Sequence, residues 1–189
     1  MADLRDRLEI LGTPELTGRG IRLERLDETN RERLRAACAA DAAIWEIYPY
    51  SLLGDAFDQW WDKVRVDRFV LAACHGDRLV GMSSFYDFDA ANASVAIGGT
   101  YFMPEVRGTG VNSEVKRRML GAAFGAGARR VVFHVDAING RSRRAVEKLG
   151  ATLDGIMRAD RITWTGRVRD TCVYSILETE WPAVRDRLG

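Results

Sequence analysis

The sequence predicts an α/β (α+β) fold, a single mixed, mostly antiparallel sheet flanked by helices. Three observations predict it. Short apolar runs bounded by turn residues recur along the chain, which is the pattern of strands. Between some of them lie stretches with apolar residues at helical spacing. The resulting order, strand–helices–strands–helix–strand–helix–strands, suits one sheet with helices on both faces. At 189 residues and 47% hydrophobic content, a single domain over 1–189 with a full-sized core is expected, residues 1–15 being an N-terminal extension. No linker, repeat or low-complexity stretch interrupts it.

Taken in order, residues 1–12 read as a short helix with Leu4, Leu8 and Leu11 on one face. Residues 19–26 alternate polar and apolar, as a half-buried strand does. Asp27 then caps a helix to about Ala43, with Leu34, Ala37 and Cys38 inward. A loop over 44–54 carries Trp45, Tyr48, Pro49 and Tyr50, and Asp55 caps a helix to about Arg65. Strands over 69–74 and 79–85 flank the turn His75-Gly76-Asp77-Arg78, and 94–102 completes a meander. In the helix over 114–125, Val115, Met119, Leu120 and Ala123 recur at helical spacing, with Lys116, Arg117 and Arg118 between them. Residues 131–135 form a continuous apolar strand, suited to the middle of a sheet. A short helix over 142–149 points Ala145, Val146 and Leu149 inward. Two last strands, 152–164 and 166–178, meet at Thr165-Gly166.

Composition narrows the function. A net charge of +1 gives no field that draws the chain to nucleic acid or an anionic membrane. No apolar run reaches the roughly 18 residues that span a bilayer, and residues 1–9 lack a signal peptide's apolar core. A cytoplasmic protein is expected. Cys38, Cys74 and Cys172 are odd in number and far apart, so they read as reduced buried thiols. With His75 and His134 apart from any cysteine cluster, no metal is expected.

The informative stretch is 103–113, Met-Pro-Glu-Val-Arg-Gly-Thr-Gly-Val-Asn-Ser, between a strand and a helix start. The first amides of a helix lack intrahelical partners, and the helix dipole favours negative charge there. Gly108 and Gly110 let the turn take positive φ and bring amides close to a phosphate, while Arg107 adds a cation at the rim. Three phosphate loops compete. The Walker string is absent. A dinucleotide loop lacks its third glycine at Ser113, and Pro104 to Arg107 intervene between strand and glycine, although Asp136 imitates the ribose-binding acid. The pattern Gln/Arg-x-x-Gly-x-Gly/Ala is met by Arg107-Gly108-Thr109-Gly110 if the Arg abuts the first glycine.

Here the chain resembles the acyl-CoA loop of GNAT-type N-acetyltransferases, over Tyr101, Phe102, Met103 and on through Arg107, Gly108, Thr109, Gly110, Val111 and Asn112. Downstream, Asn139-Gly140-Arg141-Ser142 and Glu147-Lys148-Leu149-Gly150 are similar to the family's Asn-x-x-Ser…Glu-Lys-Leu-Gly segment. Arg169-Asp170, Val173 to Leu177 and Glu180-Trp181-Pro182 resemble the closing strand of the Rim-type branch, which includes ribosomal-protein N-terminal acetyltransferases. The resemblance implies acetyl-CoA as donor, a primary amine as acceptor (a protein N-terminus or a small molecule), direct transfer in a ternary complex, and a homodimer.

It also implies a site. Amides of 108–112 hold the pyrophosphate, and those of Tyr101, Phe102 and Met103 pair with the pantetheine arm, Phe102 facing the thioester oxygen. Asn139 contacts the coenzyme or caps the helix after it. Many relatives carry a Tyr four residues after this Ser to protonate the thiolate; here that position is Val146, and the Rim-type resemblance implies Ser142 in its place, against a plain first-turn serine. For the base, Glu46 and Asp87 stand out among acids that otherwise read as surface charge. Trp45, Tyr48 and Trp164 fit an acceptor pocket or core packing, and Arg141, Arg143, Arg144 and Lys148 a 3′-phosphate site or a solvated face. Two other readings stay open: a dinucleotide-dependent oxidoreductase, and a non-catalytic acyl-CoA-binding module.

Overall fold

The computed structural model describes residues 4–10 and 20–188. Its strands are β1 (Ile21–Arg25), β2 (Phe69–His75), β3 (Arg78–Asp89), β4 (Ser94–Phe102), β5 (Arg130–Asp136), β6 (Thr152–Ile162) and β7 (Val168–Leu177). The helices are α1 (Leu4–Ile10), α2 (Arg31–Ala39), α3 (Asp55–Asp67), α4 (Val111–Gly125), α5 (Gly140–Leu149) and α6 (Trp181–Leu188). The strands make one sheet in the order β1-β2-β3-β4-β5-β7-β6. Every neighbouring pair is antiparallel except β4 and β5. This is the mixed, mostly antiparallel sheet that the order of elements predicts.

Strand alternation sends side chains to two cores. On one face Ile97 and Phe133 pack with Val115 and Met119 of α4 and Leu149 of α5, and Leu4 and Leu8 of α1 join them. On the other, Val70 and Met82 pack with Leu34 of α2 and with Phe57 and Trp61 of α3. Each such fully buried side chain contributes about 1.5–3 kcal/mol. Leu11 and Arg19 lie outside the described residues.

Several boundaries differ from the reading of the sequence, each for a local reason. Asp27 caps a 3₁₀ turn, Glu28–Asn30, that leads into α2. The helix ends at Ala39, and the expected loop begins as a second 3₁₀ segment, Ala42–Ile47. Trp45 explains the break: it is fully buried and its Nε1 donates to the Cys38 carbonyl (3.0 Å) at the end of α2. Gly54, at φ 51, is the N-cap of α3, and Asp55 is the first helical residue. Helix α6 carries too few apolar residues to announce itself; Val184 is its buried residue.

Burial on α4 extends beyond its apolar positions. Glu114, Lys116 and Arg118 are buried. Glu114 accepts from Arg118 Nε (2.5 Å) and Arg117 Nη2 (3.0 Å), which offsets the desolvation of both signs. Among the described residues, Lys116 has no such carboxylate.

The feature that positions the site is the parting of β4 from β5. They pair only at Ser94↔Arg130, Val95↔Val131 and Ala96↔Val132. On its other side β4 slips register against β3 between Met82 and Ser84. Gly99, at φ 57, supplies the extra residue of that bulge. The bulge bends β4 away from β5 and opens a gap through the middle of the sheet.

Candidate active site

The gap is a cavity of about 300 Å³ that passes from one face of the sheet to the other. Gly98, Gly99 and Phe102 form one wall, and Phe133, His134 and Val135 the other. On the α4–α5 side it is bounded by Arg107, Gly108, Asn112, Lys116, Asn139 and Ser142, and on the far side by Tyr48, Tyr50, Arg68 and Tyr86.

The turn before α4 has the conformation that its glycines require. Gly108 and Gly110 have φ of 78 and 92, and a Cβ at Gly108 would meet nothing within 4 Å, so the turn is open to solvent. Glu114 N makes the first helical bond, to Gly110 O at 3.0 Å, which leaves the amides of Val111, Asn112 and Ser113 without a helical acceptor. Thr109 Oγ1 donates to Val106 O (2.7 Å) and fixes the turn. The free amides and the dipole fit a diphosphate. Thr109, Gly110 and Val111 are not part of the cavity wall. Arg107 lines the cavity, but its guanidinium is engaged within the protein. Its Nε donates to Phe102 O (2.8 Å) and its Nη2 to Asp41, so it ties the end of β4 to the residue after α2.

The three amides expected along the pantetheine arm do not share one direction. Met103 N donates to Val80 O on β3 (2.9 Å), so strand alternation turns Tyr101 to β3 as well and Phe102 to the gap. Tyr101 is buried with its hydroxyl on Ala37 O (2.7 Å). The expectation for Tyr101 and Met103 is therefore corrected, and Phe102 is the one of the three whose backbone faces the cavity. Across the gap, Asn139 caps α5, its Oδ1 accepting from Ser142 N (3.0 Å). Ser142 and Val146 both line the cavity, and no hydrogen bond engages Ser142 Oγ.

Glu46 is also corrected. Trp45 takes the inward direction of its 3₁₀ turn, so Glu46 is exposed and outside the cavity wall. Asp87 is exposed too, at φ 50, with its Oδ2 at 4.0 Å from His134 Nδ1. Of the three aromatics considered for the acceptor, Tyr48 reaches the wall; Trp45 is core, and Trp164 Nε1 donates to Trp45 O (2.8 Å). That bond pins the β6–β7 turn over the far side. Arg143 is tied to Tyr174 OH (3.1 Å), while Arg141 lines the cavity. The cysteines are buried free thiols; burial pushes Cys38 up to about 12 and Cys74 up to about 11, so neither is a nucleophile at neutral pH.

Two wall residues were missed. His134 Nδ1 lies 3.1 Å from Tyr86 OH, and burial lowers its pKa below the ordinary 6.5, so it is neutral at pH 7. Its signal was alternation: Phe133 and Val135 enter one core while His134 and Asp136 point to the other face. Lys116 Nζ donates to Ser83 Oγ (2.9 Å) and Thr100 Oγ1 (2.6 Å) beside the bulge, and burial pushes its pKa down to about 7. No sequence pattern separates it from a solvated lysine.

The chain matches the Acetyltransferase (GNAT) domain profile over residues 21–152. It belongs to the GNAT acetyltransferase family. An acetyltransferase-family structure from T. thermophilus is 30% identical, with a TM-score of 0.83 over 91% of this chain and 93% of that one. A GCN5-related N-acetyltransferase from Brucella melitensis is 28% identical, with a TM-score of 0.80 over 92% and 84%. Mycobacterium smegmatis RimJ in complex with CoA-disulfide, 17% identical, shares the fold at a TM-score of 0.76 over 89% and 87%. Among curated proteins no sequence matches. The GNAT enzyme transfers the acetyl group of acetyl-CoA to an amine, which decides against the dinucleotide reading of the turn. Among the described residues, no cluster of His, Cys, Asp or Glu is placed to hold a metal, and no helix is long and apolar enough to cross a membrane.

Proposed function

We propose that transfer is direct, in a ternary complex formed across the sheet, with the donor on the α4–α5 side and the amine on the Tyr86–His134 side. The observation that carries this is the β4–β5 gap, into which Phe102, Ser142 and His134 all face. The amides of Gly108 to Ser113 hold the diphosphate. The Phe102 N–H donates to the oxygen on which negative charge develops, a contribution of a few kcal/mol in a water-poor site. Ser142 Oγ donates to the departing sulfur, the role left open by Val146. Asp87 near His134 Nδ1 favours the proton on that nitrogen, which leaves Nε2 as the base that takes a proton from the amine.

We place the enzyme in the Rim-type branch on its Asn139/Ser142 pair and its β7 motif, read residues 1–189 as one domain because both cores share one sheet, and assign it to the cytoplasm on its free thiols. The edge strand β6 leaves Leu153, Ile156, Met157 and Ile162 exposed, and an unpaired, partly apolar edge suits a second copy; light scattering at a dimer mass is expected. The test of the catalytic reading is initial-rate kinetics with both substrates varied and free thiol read out. Intersecting reciprocal plots are expected. Parallel plots would mean that the acetyl group first moves to the protein, and would overturn direct transfer.

A further inference from the structure

The far side of the gap is built from cations. Arg68, Arg161 and Arg169 line it, and Asp136 is the one carboxylate in the wall among the described residues. Asp136 is already engaged, with Arg167 Nη2 at 2.5 Å and Ile138 N at 3.2 Å. Asp160, outside the wall, accepts from Arg161 Nε (2.8 Å) and Thr171 Oγ1 (2.7 Å).

Arg169 is 4% exposed, its Nε has no hydrogen bond, and the nearest carboxylate oxygen, on Asp136, is 3.8 Å away. A buried guanidinium N–H without a hydrogen bond is costly. Arg161 and Arg169 are also direct cross-strand partners on β6 and β7, where like charges repel. Arg68, stacked 4.1 Å over the Tyr86 ring, has among the described residues Ser84 Oγ, at 3.4 Å, as its hydrogen-bond partner. Arg161 has Asp160, while Arg169 has its nearest carboxylate at 3.8 Å and Arg68 has a hydroxyl, so the cluster keeps an excess of positive charge that an anion would offset.

Arg68, which lines the same cavity as Arg161 and Arg169, lies close to the bulge. A Cβ built on Gly99 would come within 3.2 Å of Tyr50 OH and 3.5 Å of Arg68 Nη1. An amine presented at the bulge therefore brings an anionic group beside it within reach of Arg68. Polyamines and aminoglycosides, which need acidic walls, do not fit this charge.

Resting on the ternary-complex reading above, we propose that the acceptor is a small primary amine with an anionic group beside it, an amino carboxylate or aminophosphonate, whose anion is held by Arg68, Arg161 and Arg169. The guanidinium fork matches the planar carboxylate and the phosphonate alike. In the transfer, the amine nitrogen forms the C–N bond as the thioester C–S bond breaks. One proton passes from nitrogen to His134 and on to solvent, and the sulfur leaves as thiol with a proton of its own. The ammonium form, R–NH3⁺, and acetyl-CoA give the N-acetyl product, coenzyme A and one proton.

The test is thiol release by the full chain with free amino acids, aminoalkylphosphonates, the methyl esters and amides of both sets, polyamines, and peptides with an acidic first residue. The anionic amines should exceed their neutral esters in kcat/KM by about 100-fold, since charge-assisted contacts are lost with the anion; whichever of carboxylate and phosphonate is faster names the source. Arg161→Gln, at a half-exposed position, should raise the acceptor KM at least tenfold with acetyl-CoA affinity unchanged, and Arg169→Gln, if folded by its melting curve, should do so more strongly. Esters, polyamines or acidic peptides equal to or better than the free anionic amines would overturn the proposal and leave acetyl transfer standing. Thiol release with no amine at all would overturn both.

Discussion

Replacing Lys116 with Met tests the energetics of the core beside the site. The lysine is buried on α4 with two hydroxyls and no carboxylate, and its pKa falls from 10.5 to about 7. At roughly 1.4 kcal/mol per tenfold change in proton affinity, that displacement corresponds to about 5 kcal/mol between the charged folded and charged unfolded forms. Between pH 7 and 10.5 the unfolded chain keeps this proton and the folded chain loses it, so this group makes stability rise with pH across that window. Below pH 7 the whole cost is present. The Lys116→Met variant removes it, at the expense of two hydrogen bonds of about 1 kcal/mol each. Ser83 Oγ and Thr100 Oγ1 keep each other, at 2.8 Å. The variant should be more stable by about 2–4 kcal/mol near pH 6, with the advantage fading toward pH 10. Urea unfolding followed by tryptophan fluorescence at pH 6, 8 and 10 reads this directly. A loss of stability of the same size at every pH would show that the lysine is charged and well solvated, and would refute the reasoning.

Gly110→Trp should abolish coenzyme A binding by calorimetry while the fold persists, because φ 92 and close amide approach both exclude a bulky residue; unchanged affinity would refute the assignment of the turn. Ser142→Ala should lower kcat by roughly 10- to 1000-fold with little change in acetyl-CoA affinity. A fully active, slightly less stable protein would leave the serine as helix structure only. For His134, the lowered pKa puts the loss of base below pH 6.5, so kcat/KM should fall with unit slope as pH drops below that pKa. In His134→Gln this limb should vanish, with activity lower by about 10²–10⁴-fold; persistence of the limb would assign it to another group.

What the sequence discloses is whatever local chemistry dictates. β4 runs from Ser94 to Phe102 as read, because an apolar run is closed by Pro104. The turn is legible because Gly108 and Gly110 do what only glycine does cheaply. The bulge at Gly99 is not legible, since a glycine in a strand marks either a bulge or a close approach. Gly81, on the facing strand, is of the second kind: a Cβ there would come within 2.3 Å of Tyr101 O. Glu46 misleads because proximity in sequence to Tyr48 and Tyr50 says nothing of direction, and Trp45 took the inward one. The arginines of the far side are spread over α3–β2, β6 and β7, and only the register Arg161↔Arg169 brings two of them together.

The central claim is that donor and acceptor meet through the gap between β4 and β5. It is tested most directly by the affinity of a single molecule in which coenzyme A is joined through its sulfur, by an acetyl spacer, to the preferred acceptor. Two sites that open into one cavity make the second contact intramolecular, so the adduct should bind about 10²–10⁴-fold more tightly than coenzyme A alone. An adduct that binds no more tightly than coenzyme A would mean that the acceptor does not reach the thioester through this gap.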